Sequence, residues 1–175
     1  MNTCFFIGHR DTPADGYSQI VTEAERLILC GVIEFIVGHY DAFDRMAAKT
    51  VREAKRRHPE IRLLLLLPYY DTNTTKYGTG FDEIIYPEGQ EMIPKRAAII
   101  RANQYMIDNC DVLIMYARNI GSNAREFMEY AERRFRRTGK PQIINLADGT
   151  TDALIQFRRI CSGSERPSHK LCKPP

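Results

Sequence analysis

The chain has 175 residues, a formal net charge of +3 and 43% hydrophobic residues. This length suits one domain with a full core rather than two, and so small a charge does not by itself argue for nucleic acid. No segment approaches the roughly 20 apolar residues of a membrane span, and no charged leader precedes an apolar core, so a cytoplasmic protein without a membrane partner is expected.

Thr3 to Ile7 is a short apolar run ending at Gly8, the signature of a buried strand. Gly8-His9-Arg10-Asp11 then turns. Tyr17, Ile20, Val21, Ala24, Leu27 and Ile28 follow at helical spacing, and Gly31 is a natural stop. Val32 to Val37 is a second strand, ending in the loop Gly38 to Asp44. The next helix carries Phe43, Met46, Ala47, Val51 and Ala54 on one face. It ends in Lys55-Arg56-Arg57, where cations suit the helix dipole.

Leu63 to Leu67 is an unbroken leucine run before Pro68, read as a central strand covered on both faces. Tyr69 to Gly80 is a polar loop, and Glu83 to Tyr86 is a short strand at most. Pro94 fits a first helical turn, in a helix presenting Ala98, Ala102, Tyr105 and Met106 to the core. Asp111 to Tyr116 is the next strand. The turn from Arg118 to Ala124 leads into a helix through Phe127, Tyr130, Ala131 and Phe135. Gly139-Lys140-Pro141 ends it, and Gln142 to Asn145 is the last strand. A further helix is expected over Thr151 to Arg159. The Ser, Pro, Lys and Glu of the tail predict disorder, so one domain over 1–160 and a tail over 161–175 are expected.

Strands alternating with helices argue for an α/β three-layer sandwich with a mostly parallel sheet of about five strands. Right-handed crossovers then bring the polar turns to the carboxyl edge of the sheet. The five cysteines, Cys4, Cys30, Cys110, Cys161 and Cys172, form no C-x-x-C pair. Cys4, Cys30 and Cys110 read as buried thiols, no metal site is indicated, and no cofactor can be named.

Three loops meet at that edge, around Gly8-His9-Arg10, around Gly38 to Asp44 and around Gly121-Ser122-Asn123. Each lies at a helix start, where free backbone N–H groups and the dipole favour anions and where a glycine admits close approach. Together they predict a phosphate- or nucleotide-type ligand. Arg10 suits a phosphate or a neighbouring carboxylate. His9 suits base stacking, phosphate donation or a structural hydrogen bond. His39 stands in the central loop. Asp44 suits a helix N-cap or a ribose hydroxyl, and Asp41 the same. Glu126 suits either a first-turn acid or the carboxylate of N-glycosidic cleavage. The basic run Arg133, Arg134, Arg136, Arg137 and Lys140 reads as a solvated helix end, with a nucleic-acid contact as the alternative.

Several of these stretches resemble the YpsA-like branch of the SLOG superfamily. They are Cys4 to Arg10, the Gly38 to Asp44 loop running into Ala47-Ala48, Leu63 to Pro68, and Asn103-Gln104-Tyr105-Met106-Ile107-Asp108 before Asp111 to Ile114. The likeness runs from about Thr3 to Asn145. It implies a Rossmann-like fold, related to Lonely Guy phosphoribohydrolases and DNA-processing protein A, and a nucleotide or nucleotide derivative as ligand. The chain departs from that pattern at three points. Gly38-His39 stands where a Gly-Gly pair is common, and Ser122-Asn123-Ala124 replaces a Gly-Gly-Thr-like turn. The hydrolase signature ending in Glu is absent as such, with Glu126 only a loose substitute.

The expected function is therefore binding of a nucleotide-type small molecule, as a sensor or regulatory domain. The alternatives are an N-glycosidic hydrolase or transferase acting on nucleoside monophosphates, and a nucleic-acid-interacting protein. The Tyr- and Met-bearing helical faces suit a homodimer contact or core packing equally.

Overall fold

The four inner strands are short, apolar and buried on both sides, as in a parallel sheet covered by helices on both faces. The computed structural model describes residues 2–148 apart from 11, 14, 15, 90 and 91. The expected helix over Thr151 to Arg159, the tail, Cys161 and Cys172 lie outside the described residues.

The strands are β1 (Thr3–Ile7), β2 (Glu34–Val37), β3 (Arg62–Leu66), β4 (Glu83–Ile85), β5 (Val112–Met115) and β6 (Gln142–Asn145). The helices are α1 (Gly16–Leu29), α2 (Ala42–Lys55), α3 (Lys95–Asn109) and α4 (Asn123–Thr138). The sheet order is β4-β3-β2-β1-β5-β6, and every pairing is parallel. The sheet has six strands rather than about five. The sixth is the three-residue edge strand β4, which pairs Glu83, Ile84 and Ile85 with Leu64, Leu65 and Leu66.

Alternation along each strand divides the core in two. Cys4 and Phe6 of β1, Phe35 and Val37 of β2, Leu63 of β3, and Val112 and Ile114 of β5 pack under α1 and α2. Phe5, Ile7, Ile36, Leu64, Leu66, Leu113 and Met115 pack under α3 and α4. Phe5, Phe6, Phe35 and Phe43 are fully buried, each contributing about 1.5–3 kcal/mol relative to exposure.

Three local expectations are corrected. Tyr105 is 39% exposed, whereas Ala98, Ala102 and Met106 are buried, so it does not join the core. It precedes Met106 by about 100° of helix rotation, and the buried face turns the other way, through Ile107 and Cys110. Pro94 is the N-cap of α3 rather than a residue of its first turn. Cys4 and Cys110 are buried free thiols, but Cys30, half-buried at the end of α1, is disulfide-bonded rather than a thiol.

From the central β1 the chain steps outward through β2, β3 and β4. It then returns across the sheet through α3 to β5, on the other side of β1. The direction reverses there, and a crevice opens outside the carboxyl ends of β1 and β5. The opposite, amino edge is tied by ion pairs. Arg62 bridges Glu34 at 2.9 Å and Glu83 at 2.6 Å, and Asp111 accepts from the Thr3 N–H at 3.0 Å and pairs with Lys140.

Candidate functional site

A cleft of about 410 Å3 occupies the crevice. Of the residues singled out in the sequence, Gly8, His9, Arg10, Gly38, Asp41, Asp44 and Asn123 line it. His39, Gly121, Ser122 and Glu126 do not.

The two lining glycines are required by the protein's own packing. A Cβ on Gly8 would lie 2.2 Å from Phe43 Cγ, so this glycine is what lets α2 seat its aromatic ring against the end of β1. A Cβ on Gly38 would lie 2.6 Å from Asp44 Oδ2. Gly121 is different. Its φ of +77° is a conformation that favours glycine, and it shapes the turn before α4.

Asp41, not Asp44, is the N-cap of α2. Its carboxylate accepts the Asp44 N–H at 2.9 Å, the position-three contact such a cap makes. Asp44 reaches back to accept the Tyr40 N–H at 2.9 Å, a reciprocal arrangement akin to a capping box. Asp44 is 6% exposed. Burial first, and the neighbouring Asp41 charge second, push its carboxyl up to about 7, against the pull of the backbone N–H groups around it. Asp41 is raised as well, chiefly by burial, with Arg45 and Arg10 pulling it down. The N-terminus of α2 is therefore already occupied by two of the protein's own acids, and this end of the cleft suits hydroxyl groups rather than phosphate.

The opposite side is formed by β1's loop and α4. His9 Nε2 accepts the N–H groups of Arg118 at 3.0 Å and Asn119 at 3.2 Å, which fixes the proton on Nδ1 and ties the two loops together. Of the readings open for His9, the structural hydrogen bond is the one present. Ser122 caps α4, accepting the Arg125 N–H at 3.2 Å. Its hydroxyl is thus committed to the helix. Asn123 and Ala124, the first two residues of α4, face the cleft. Their N–H groups precede the first intrahelical bond, so they are available to an anion. Arg10 is exposed and also lines the cleft, close enough for its charge to act on Asp41.

Glu126 points elsewhere. It is exposed and lines an adjoining outer groove with Gln104, Glu129 and Arg133, beyond Ile100, Asn123 and Phe127, which the groove shares with the cleft. With Ser122 as the cap, the third helical position falls on Arg125, and Glu126 sits about 100° further round the helix. His39 is also turned away. Its ring packs 4.0 Å from Tyr40 and 4.5 Å from Tyr77, and burial, reinforced by Lys76, lowers its pKa.

The sequence reading missed Tyr40, Asn103, Pro68, Ile99 and Ile100 as cleft residues. Asn103 had a signal, as a half-buried amide next to Ala102 on the helix returning to β5. The isoleucines had none, because their placement depends on where α3 crosses the sheet.

Comparison with known proteins adds the fold's relatives. DNA processing protein A from Helicobacter pylori, solved in a study of its single-stranded DNA binding mode, superposes with a TM-score of 0.59. The match covers 93% of this chain and 81% of that one at 15% sequence identity. This chain has that protein's Rossmann-like fold. No family model matches the chain, and no curated protein matches it. Among the described residues, no group of three or more His, Cys, Asp or Glu side chains could hold a metal ion. Among the same residues, no helix is long and apolar enough to cross a membrane.

Proposed function

We propose that this protein binds a nucleotide or nucleotide derivative in the cleft, as a cytoplasmic sensor or regulatory domain of the YpsA-like branch of the SLOG superfamily. One observation carries this reading: the cleft has two chemically different ends. The free N–H groups of α4's first turn stand at one end and the carboxyls of half-buried Asp41 and buried Asp44 at the other, while Arg10, whose charge acts on Asp41, lines the same cleft. A phosphate fits the first and ribose hydroxyls the second, with the base lying against Tyr40, Pro68 and Ile99.

Calorimetric titration with adenosine monophosphate, other nucleoside monophosphates, ADP-ribose, NAD and cyclic nucleotides tests this. A ligand of the native state also raises the melting temperature. Arg10→Ala removes a charge-assisted contact and is expected to weaken binding by about tenfold. Arg10 is exposed, so the variant should melt with the wild type. An unchanged dissociation constant refutes the assignment.

A second reading, nucleic acid, is favoured by the fold shared with a protein whose single-stranded DNA binding has been studied. The basic run of α4 supports it poorly. Arg134 pairs with Asp108 at 3.0 Å and Lys140 pairs with Asp111. The exposed Arg133, Arg136 and Arg137 stand toward the end of α4 away from the cleft.

A further inference from the structure

Six aromatic side chains gather beside the cleft, beyond the carboxyl ends of β2, β3 and β4, and none belongs to either core layer. Tyr40 forms the cleft wall, with its phenol beside that of Tyr69. His39 packs on Tyr40 at a 44° tilt and meets the Tyr77 ring edge-on. The Tyr77 hydroxyl donates to Asp71 Oδ2 at 2.7 Å, and the Tyr86 hydroxyl donates to the Asp71 carbonyl at 3.5 Å. Tyr86 in turn supports Tyr70, with ring centroids 5.5 Å apart. Asp71 thus fixes the phenols of Tyr77 and Tyr86, and these two rings brace Tyr40 through His39 and Tyr70 directly. Its outer surface is left open, with Tyr70 74% exposed and Tyr40 38% exposed. Two cations flank it. Lys95 Nζ lies 5.8 Å from the Tyr69 ring, and Lys76 Nζ, which is ion-paired with Asp71, lies 5.0 Å from the Tyr77 ring.

Fold packing does not account for this arrangement. A buried tyrosine contributes through the area it removes from water, and Tyr70 removes little. Open aromatic faces braced beside lysines are what successive nucleobases stack upon, with the cations meeting the phosphates between them. The shelf is continuous with the cleft through Tyr40 and through Lys95, which opens the helix carrying Ile99.

We infer that the shelf formed by Tyr40, Tyr69 and Tyr70 is a base-stacking surface for single-stranded nucleic acid, whose terminal nucleotide enters the cleft. The inference rests on reading the cleft as a nucleotide site. It puts the strand on the aromatic side of the carboxyl edge rather than along the basic end of α4.

The test is fluorescence anisotropy with labelled single strands of about eight nucleotides, one of DNA and one of RNA, beside titration with thymidine monophosphate. The chain has no Trp, so the part of the tyrosine quenching that Tyr70→Ala removes reports stacking at the shelf. The oligomer is expected to bind about tenfold tighter than the monophosphate or better, and Tyr70→Ala to lose about tenfold of that affinity. Tyr70→Ala should leave monophosphate binding and melting temperature unchanged, and Tyr70→Phe, which keeps the ring, should bind as wild type. The DNA and RNA arms identify which strand is preferred. Oligomer binding that survives Tyr70→Ala intact, an oligomer no tighter than the monophosphate, or equal binding of a duplex each overturns the inference. Should Arg10→Ala leave monophosphate affinity untouched while Tyr70→Ala still weakens the oligomer, the cleft reading fails and the shelf stands.

Discussion

Asp44 makes the folded state of this protein sensitive to pH in a direction opposite to that of most carboxylates. Its carboxyl is buried beneath Gly38, next to Asp41, and is raised from the ordinary 3.8 to about 7. The folded chain therefore keeps a proton, between about pH 4 and pH 7, that the unfolded chain has released. Stability is highest below that window and falls as pH rises through it. At about 1.4 kcal/mol per pH unit, the whole rise corresponds to a ceiling of about 4 kcal/mol. Asp44→Asn keeps the shape and an acceptor for the Tyr40 N–H but cannot ionise, so its stability lacks this slope. Urea unfolding of both proteins at intervals from about pH 4.5 to pH 8 gives the comparison. Asp71, Asp82 and Asp111 are held below the ordinary carboxylate range, and Glu23 is raised by its burial. These groups are common to both proteins, so the difference between the two curves isolates Asp44 together with its coupling to Asp41. The variant should gain on the wild type steadily toward pH 7 and hold its lead above it. Parallel curves across the window would refute a neutral Asp44. Asp41→Asn sharpens the test, because removing the neighbouring charge should move the wild-type slope to lower pH.

Gly8→Ala forces a methyl group into the Phe43 ring and should destabilise the fold by about 1–3 kcal/mol, read as a lower urea midpoint with an unchanged slope. Phe43→Leu in the same chain should recover part of that loss, and a Gly8→Ala protein as stable as wild type would show that α2 does not pack as described. Glu126→Gln should alter neither nucleotide binding nor any release of free base from nucleoside monophosphates, since this carboxylate faces the outer groove. A clear drop in either would bring Glu126 back into the chemistry.

The layered sheet was legible because its signals are local. Apolar runs of strand length ended at Gly8, Gly38 and Pro68, and the intervening helices carried their apolar residues at helical spacing. β4 was the weak point for a physical reason. An edge strand with one partner and three residues buries too little to impose an unbroken apolar run, so Glu83 and the half-buried Ile84 and Ile85 read ambiguously. Tyr105 failed differently. Spacing defines a face only once the helix axis is known, and α3 lies so that the face through Ile107 and Cys110 is the covered one.

The site was legible in position but not in the roles of its residues. Gly8 and Gly38 drew attention as points where a ligand could approach the backbone. Their missing Cβ atoms are instead filled by Phe43, 35 positions away, and by Asp44. A glycine that makes room for a ligand and one that makes room for a core ring look identical in sequence, because the group needing the space lies elsewhere in the chain. The same logic separates Asp41 from Asp44. Both are acids at a helix start, but the cap is the one whose side chain can reach the N–H three residues on. Once Asp41 takes that role, Asp44 is driven inward, loses its water and holds its proton. A three-residue offset thus makes one carboxylate a conventional cap and the other the least conventional acid in the cleft. It also leaves the anion-binding role to Arg10 and the first turn of α4, which is capped by the Ser122 hydroxyl rather than by a carboxylate.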